Sequence, residues 1–209
     1  MTQRSNKSVQ KLALTAIFIA IVVLVQLFLG GITVSGVSFS LVLVPIVIGG
    51  ALIGPLGGTI LGFSFGLVTF INGLTGADPF TSFLLHNTGT KGAVLTAIVC
   101  FLKATLAGLI PALIYKGLKN KNQYLAVILA ALAAPVINTG VFVLAMIFVL
   151  SDELTLTMQS LAGVDVSGNI ISFVILTLSG INFVVEFLVN AVLTPAIYSF
   201  IKSVGKGKI

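Results

Sequence analysis

Charge in this chain is confined almost entirely to the breaks between long apolar runs. Arg4, Lys7 and Lys11 open it, Lys116, Lys119 and Lys121 interrupt its middle, and Lys202, Lys206 and Lys208 close it, together nine of the eleven basic residues. Four of the five acids, Asp78, Asp152, Glu153 and Asp165, fall in the intervening gaps. A helix needs about 20 mostly apolar residues to cross a bilayer, and segregated basic residues orient such helices with the positive breaks inside the cell. The alternation therefore predicts an all-α integral membrane protein with six transmembrane helices and cytoplasmic N- and C-termini. With 57% hydrophobic and only 8% charged residues, a soluble fold of this size would leave too much apolar surface in water. The net charge of +6 thus speaks to orientation and gives no reason to expect nucleic acid.

The helices are expected at about 9–29, 38–53, 55–72, 92–115, 124–150 and 170–202, in a single membrane domain over residues 1–209. Gly54-Pro55 divides the second from the third, because proline fits the first turn of a helix and breaks its interior. The first run, Val9 to Leu29, is too long for a signal-peptide core. Two polar tracts, 73–90 and 151–169, read as long outer loops of the kind that act as lids. The single histidine, His86, reads as a solvated loop residue, and Lys91 as a residue at headgroup level. Gly54, Gly58, Gly62 and Gly66 recur every four residues and read first as a close internal packing face. Ala13, Ala16 and Ala20 form a smaller face on the first helix. The lone Cys100 excludes an internal disulfide or a cysteine-rich metal site and reads as a small buried hydrophobe.

Two ionisable residues lie inside the predicted spans away from their ends, Lys103 on the fourth and Glu186 on the sixth. Each costs about 2.5–3.5 kcal/mol or more at the bilayer centre, so each needs a partner or water. At 1.5 Å per residue both fall about 10–15 Å below the outer boundary, which makes a Lys103–Glu186 ion pair one reading and a wet, solute-binding cavity the other. Ser179, Asn182, Glu186, Asn190 and Thr194 recur at spacings of three or four and so share one stripe. In lipid such a stripe must face inward. Asn138 and Thr139 follow Pro135 on the fifth helix, where an amide either binds a ligand or caps a local kink. Lys103, Asn138, Thr139, Asn182, Glu186 and Asn190 are the candidate substrate-binding residues, suited to a small polar molecule that carries a carboxylate. There is no P-loop, HExxH or Ser/His/Asp set, so the chain is not expected to be an enzyme, and no cofactor or metal is expected.

These residues resemble the substrate-binding S components of energy-coupling factor (ECF) vitamin transporters. The resemblance covers nearly the whole chain. It is carried by Pro45 and the run Gly49-Gly50…Gly54-Pro55-Leu56-Gly57-Gly58, by Lys103 to Leu109, by Asn138-Thr139, and by Asn182…Glu186…Asn190…Pro195. It implies a multi-pass protein of the bacterial cell membrane that binds a vitamin from outside. Its implied partners are a shared transmembrane coupling subunit and two ATPase subunits, whose ATP hydrolysis tilts the S component to release vitamin inside. Ala16 and Ala20 match the family's AxxxA contact for the coupling subunit, with Ala13 extending that face. The chain is most similar to the pantothenate and folate branch, and Lys103 would suit the pantothenate carboxylate. Hydroxymethylpyrimidine, folate and riboflavin are the alternative vitamins. Outside the family, the competing readings are a stand-alone proton-coupled transporter, with Glu186 as the coupling carboxylate and Lys103 its counter-ion, and a structural membrane protein that binds no small molecule.

Overall fold

Close approach of glycine-bearing backbones sets the centre of the fold. In the computed structural model, which describes residues 2–29, 33–34, 37–38 and 41–205, helices α3 (Pro55–Thr75) and α5 (Gly89–Leu118) form the most extensive helix pair. A methyl group added at Gly58 would fall on the Gly108 carbonyl, and one at Gly62 on the Ala104 carbonyl. At Gly66 it would lie 2.8 Å from the Cys100 carbonyl oxygen. Three of the four glycines in the series therefore serve internal packing, because only a missing side chain lets the two backbones meet. The fourth, Gly54, precedes the helix. Its φ of 108° turns the chain between α2 (Leu43–Ile53) and α3, with Pro55 at the first helical position.

The remaining helices surround this pair. Helix α1 (Thr2–Leu29) packs on α2 and α3, and α6 (Gln123–Phe148) lies against α5 and against α9 (Gly180–Gly205). Two-residue strands β1 (Thr33–Val34) and β2 (Val37–Ser38) pair antiparallel between α1 and α2. Among the described residues, five helices are long and apolar enough to span a membrane. Helix α2 has 11 residues, about 16 Å at 1.5 Å per residue, roughly half the hydrocarbon thickness. Large apolar side chains such as Ile17, Leu24, Phe63, Ile98, Leu144 and Leu188 point outward from the bundle, as expected of surfaces that face lipid.

Several boundaries depart from expectation. Helix α1 begins at Thr2, before the first apolar run, and α2 begins at Leu43 rather than 38. Residues 39–40 of the expected second helix, with Lys206 and Lys208, lie outside the described residues. Both expected outer loops contain helices, α4 (Pro79–Asn87) and α7 (Ser151–Ala162). For α4 the cause is local: Asp78 accepts the Thr81 N–H at 3.0 Å as an N-cap, and Pro79 sits at the first helical position. For α7, Leu150, Leu154 and Met158 repeat every four residues and turn one apolar stripe onto the bundle. Gly163, at φ 65°, stops it. Helix α6 runs unbroken through Pro135. The expected sixth span is instead composite: a short turn α8 (Ile170–Ser172), a π-helical stretch Phe173–Leu178, and then α9.

The buried apolar side chains form two clusters. One gathers Phe18, Leu43, Ile46, Leu61, Tyr115 and Ile201 toward the lysine-bearing end. The other gathers Phe80, Leu84, Phe142, Met146, Leu154 and Val174 beneath α4 and α7. Substituting Gly62 by Ala should force α3 off α5 and destabilise the protein by about 1–3 kcal/mol. The loss would be read as a lower thermal midpoint in detergent. Gly117→Ala, where nothing lies within reach of a new methyl, should leave the midpoint unchanged or raise it.

Candidate substrate-binding site

The polar residues of the long helices sit between the two apolar clusters. On α5, Lys103 follows Val99 of the cluster beneath α4 and α7 and precedes Ala104 of the cluster at the lysine-bearing end. On α6, Asn138 lies one turn from Ala134 of the lysine-end cluster and one turn from Phe142 of the other. On α9, Asn182, Glu186, Asn190 and Thr194 lie between Leu178 and Ile197. Three helices thus contribute to one polar layer.

The stripe on α9 is wholly internal. Ser179, Asn182, Glu186, Asn190 and Thr194 are all buried, and Glu186 is only 2% exposed. Asn138 donates its amide to Glu186 Oε2 at 3.4 Å, joining α6 to α9. Below it, Asn190 donates to the Glu186 carbonyl at 2.8 Å and Thr194 to the Asn190 carbonyl at 2.8 Å. The Asn190 side-chain oxygen, 1% exposed as a residue, accepts no hydrogen bond among the described residues, and Thr96 Oγ1 on α5 is in the same position. A buried acceptor left in this way costs about 1–3 kcal/mol unless a ligand or water meets it. The π-helical stretch adjusts the phase of the stripe: the Ser179 N–H donates to Val174 O, five residues back, at 3.0 Å, and the Ser179 hydroxyl donates to the same carbonyl. Such π segments are frequent at functional sites.

Lys103 is half-buried, and its ammonium lies 5.3 Å from the centroid of the Phe142 ring. Phe142 is four residues beyond Asn138, so Lys103 approaches the face of α6 that carries the amide. Thr139 sits elsewhere: with Gly140, Ile175, Gly180 and Phe183 it lines an apolar groove of about 300 Å³ between α6 and the π-helical stretch.

Asp78 was legible as a loop residue and is more than that. It is buried and caps α4 by accepting the Thr81 N–H. The readable signal was Asp78-Pro79 followed by Thr81, a helix start rather than a turn. Thr96 gave no such signal, since one threonine in a membrane helix usually bonds its own backbone. Cys100 itself is buried. At the end of the bundle that carries α4 and α7, Lys91 pairs with the buried Glu153 of α7 at 3.3 Å, holding α7 against the start of α5. His86 is exposed, its Nδ1 2.9 Å from the Ser82 carbonyl. After α7, hydrogen bonds from the Ser167 hydroxyl and N–H hold the Asp165 carboxyl below the usual carboxylate range. That turn carries Val166 into the cluster beneath α4 and α7. Ala13, Ala16 and Ala20 are exposed, while Phe18, Val22 and Gln26 form the inward face of α1.

A protein-family model for ECF transporter substrate-specific components matches residues 10–198. The chain belongs to that family. The S component is a transporter subunit of the bacterial cell membrane, multi-pass, working with other ECF subunits on a small-molecule vitamin. It is also similar to the pantothenic acid transporter PanT of Lactococcus lactis subsp. cremoris (strain MG1363), with 32% identity over 172 residues, 78% of this chain and 86% of the relative. No solved structure matches it.

The Asn138–Glu186 contact makes a stability prediction. Asn138→Leu removes a donor from a buried carboxylate and should cost about 1–3 kcal/mol, seen in the thermal midpoint of purified protein in detergent. Glu186→Gln leaves an acceptor for the same amide and should cost less.

Proposed function

We propose that this S component binds pantothenate, and that the polar layer of α5, α6 and α9 is where it binds. The 32% identity to a pantothenic acid transporter across 78% of the chain carries the choice of vitamin. The chemistry of the layer agrees with it. Pantothenate is a small, ringless molecule with one carboxylate, one amide and two hydroxyls. Lys103 offers a cation to the carboxylate, and Asn138, Asn182 and Asn190 offer amides that both donate and accept. Glu186 accepts from a hydroxyl. Thr139 faces the apolar groove beside the π-helical stretch and is not assigned to the site. A site built to bond such groups rejects solutes that leave its polar atoms unmet.

Six crossings, with α2 supplying the second, put both termini and the Lys116–Lys121 tract in the cytoplasm. The vitamin then enters from the side covered by α4 and α7. Release inside requires the coupling subunit and two ATPase subunits, because the chain has no nucleotide-binding motif of its own. The exposed Ala13, Ala16 and Ala20 form the surface for the coupling subunit, where small side chains let a partner helix approach closely.

Calorimetric titration of pantothenate into the purified protein tests the site. Lys103→Met should weaken binding tenfold or more, since a charge-assisted hydrogen bond contributes about 1.5–3 kcal/mol. Unchanged affinity would remove Lys103 from the site. Uptake into liposomes should need the partner subunits, and proton-driven uptake by the lone chain would favour a self-sufficient transporter. Ala16→Leu or Ala20→Leu should leave binding intact and abolish uptake in the assembled complex. Loss of both would assign that face to internal packing.

A further inference from the structure

At the end of the bundle opposite α4 and α7, a cavity of about 290 Å³ lies where α1, the α2–α3 turn and the last turns of α5 converge. Lys11 of α1 and Lys116 and Lys119 of α5 line it. None of the five acidic residues of the chain is among its lining residues. Three cations around one small polar cavity repel one another and hold an anion in common.

The walls are built as well as charged. Tyr115, 5% exposed, lines the cavity; its phenol oxygen accepts the Gln123 side-chain N–H at 3.1 Å. That bond uses the oxygen as acceptor and leaves the phenol proton to donate. The Lys119 ammonium lies 5.9 Å from the Tyr115 ring centroid, which holds it over the cavity side of α5. Gly54 and Pro55 form the opposite wall, where α3 begins with no side-chain cap. The carbonyl ends of α2 and α5 face the same region and oppose an anion, so the attraction comes from the lysines.

We infer that this cavity binds the phosphate-bearing head of an anionic membrane phospholipid. The surroundings favour a lipid over a free anion. Leu12, Leu56 and Leu113, next in sequence to lining residues on three separate elements, are strongly exposed. They present an apolar surface on which acyl chains lie beside the charged cavity. Nothing in the vitamin-binding layer takes part, so the inference stands apart from the choice of vitamin.

The test uses the full chain, delipidated in neutral detergent, titrated separately with phosphatidylglycerol, phosphatidylcholine and inorganic phosphate. Native mass spectrometry and the thermal midpoint are the readouts. Phosphatidylglycerol should form a saturable adduct and raise the midpoint, and phosphatidylcholine should do neither. The combined variant Lys11→Gln, Lys116→Gln, Lys119→Gln should weaken the phosphatidylglycerol adduct by roughly tenfold or more, with an unchanged circular-dichroism spectrum and lipid-free midpoint showing that it folds. Tyr115→Phe should weaken it less. Equal binding of both lipids, or full retention by the triple variant, would overturn the site. Inorganic phosphate that binds as tightly as phosphatidylglycerol and displaces it would overturn the lipid assignment.

Discussion

A carboxylate almost wholly removed from solvent, in a helix whose other face meets lipid, is the constraint around which the rest of this protein is arranged. Glu186 cannot remain charged there without donors, and the fold supplies one from the next helix, the Asn138 amide at 3.4 Å. The same requirement explains the company it keeps. Asn182, Asn190 and Thr194 continue the stripe on α9, and the α6 and α5 faces opposite bring Asn138 and Lys103. Apolar clusters lie on either side of this layer along the bundle. Polar groups confined between two apolar zones interact strongly with whatever enters, because little water competes for them.

Placing that layer depends on backbone geometry far from it. The glycine seam fixes α5 against α3, and so fixes where Lys103 can reach. The π-helical stretch before α9 inserts a shift in phase, and Ser179 closes it by bonding back to Val174. Above the layer, α4 and α7 replace what would have been loose chain with packed helices. Phe80 meets Phe142 edge-on at 6.2 Å, and Lys91 ties down Glu153.

The long spans were legible because hydropathy and charge act over 20 residues and no tertiary contact overrides them. The buried stripe on α9 was legible for the same reason: five polar residues at helical spacing in lipid have only one direction to face. The division at Gly54-Pro55 was equally plain, since φ of 108° and a proline at the first helical position leave few alternatives. What the sequence hid was short-range structure in polar tracts. Asp78-Pro79 looks like a turn until Thr81 is seen to complete a cap. Leu154 and Met158 are too few to outweigh the acids beside them until α7 has a bundle to lean on. The turn of Thr139 away from Asn138 could not be read, because neighbours on a helix point about 100° apart and only packing says which one faces inward.

The central claim is that the layer between the two apolar clusters encloses a vitamin. The most direct measurement is mass spectrometry of the small molecules released when the protein, purified in detergent from vitamin-replete cells, is heat-denatured. Pantothenate released in near-equimolar amount from the wild type, and absent from an Asn182→Leu, Asn190→Leu variant that still folds, is the predicted result. No small molecule released, or one retained undiminished by that variant, would contradict the account.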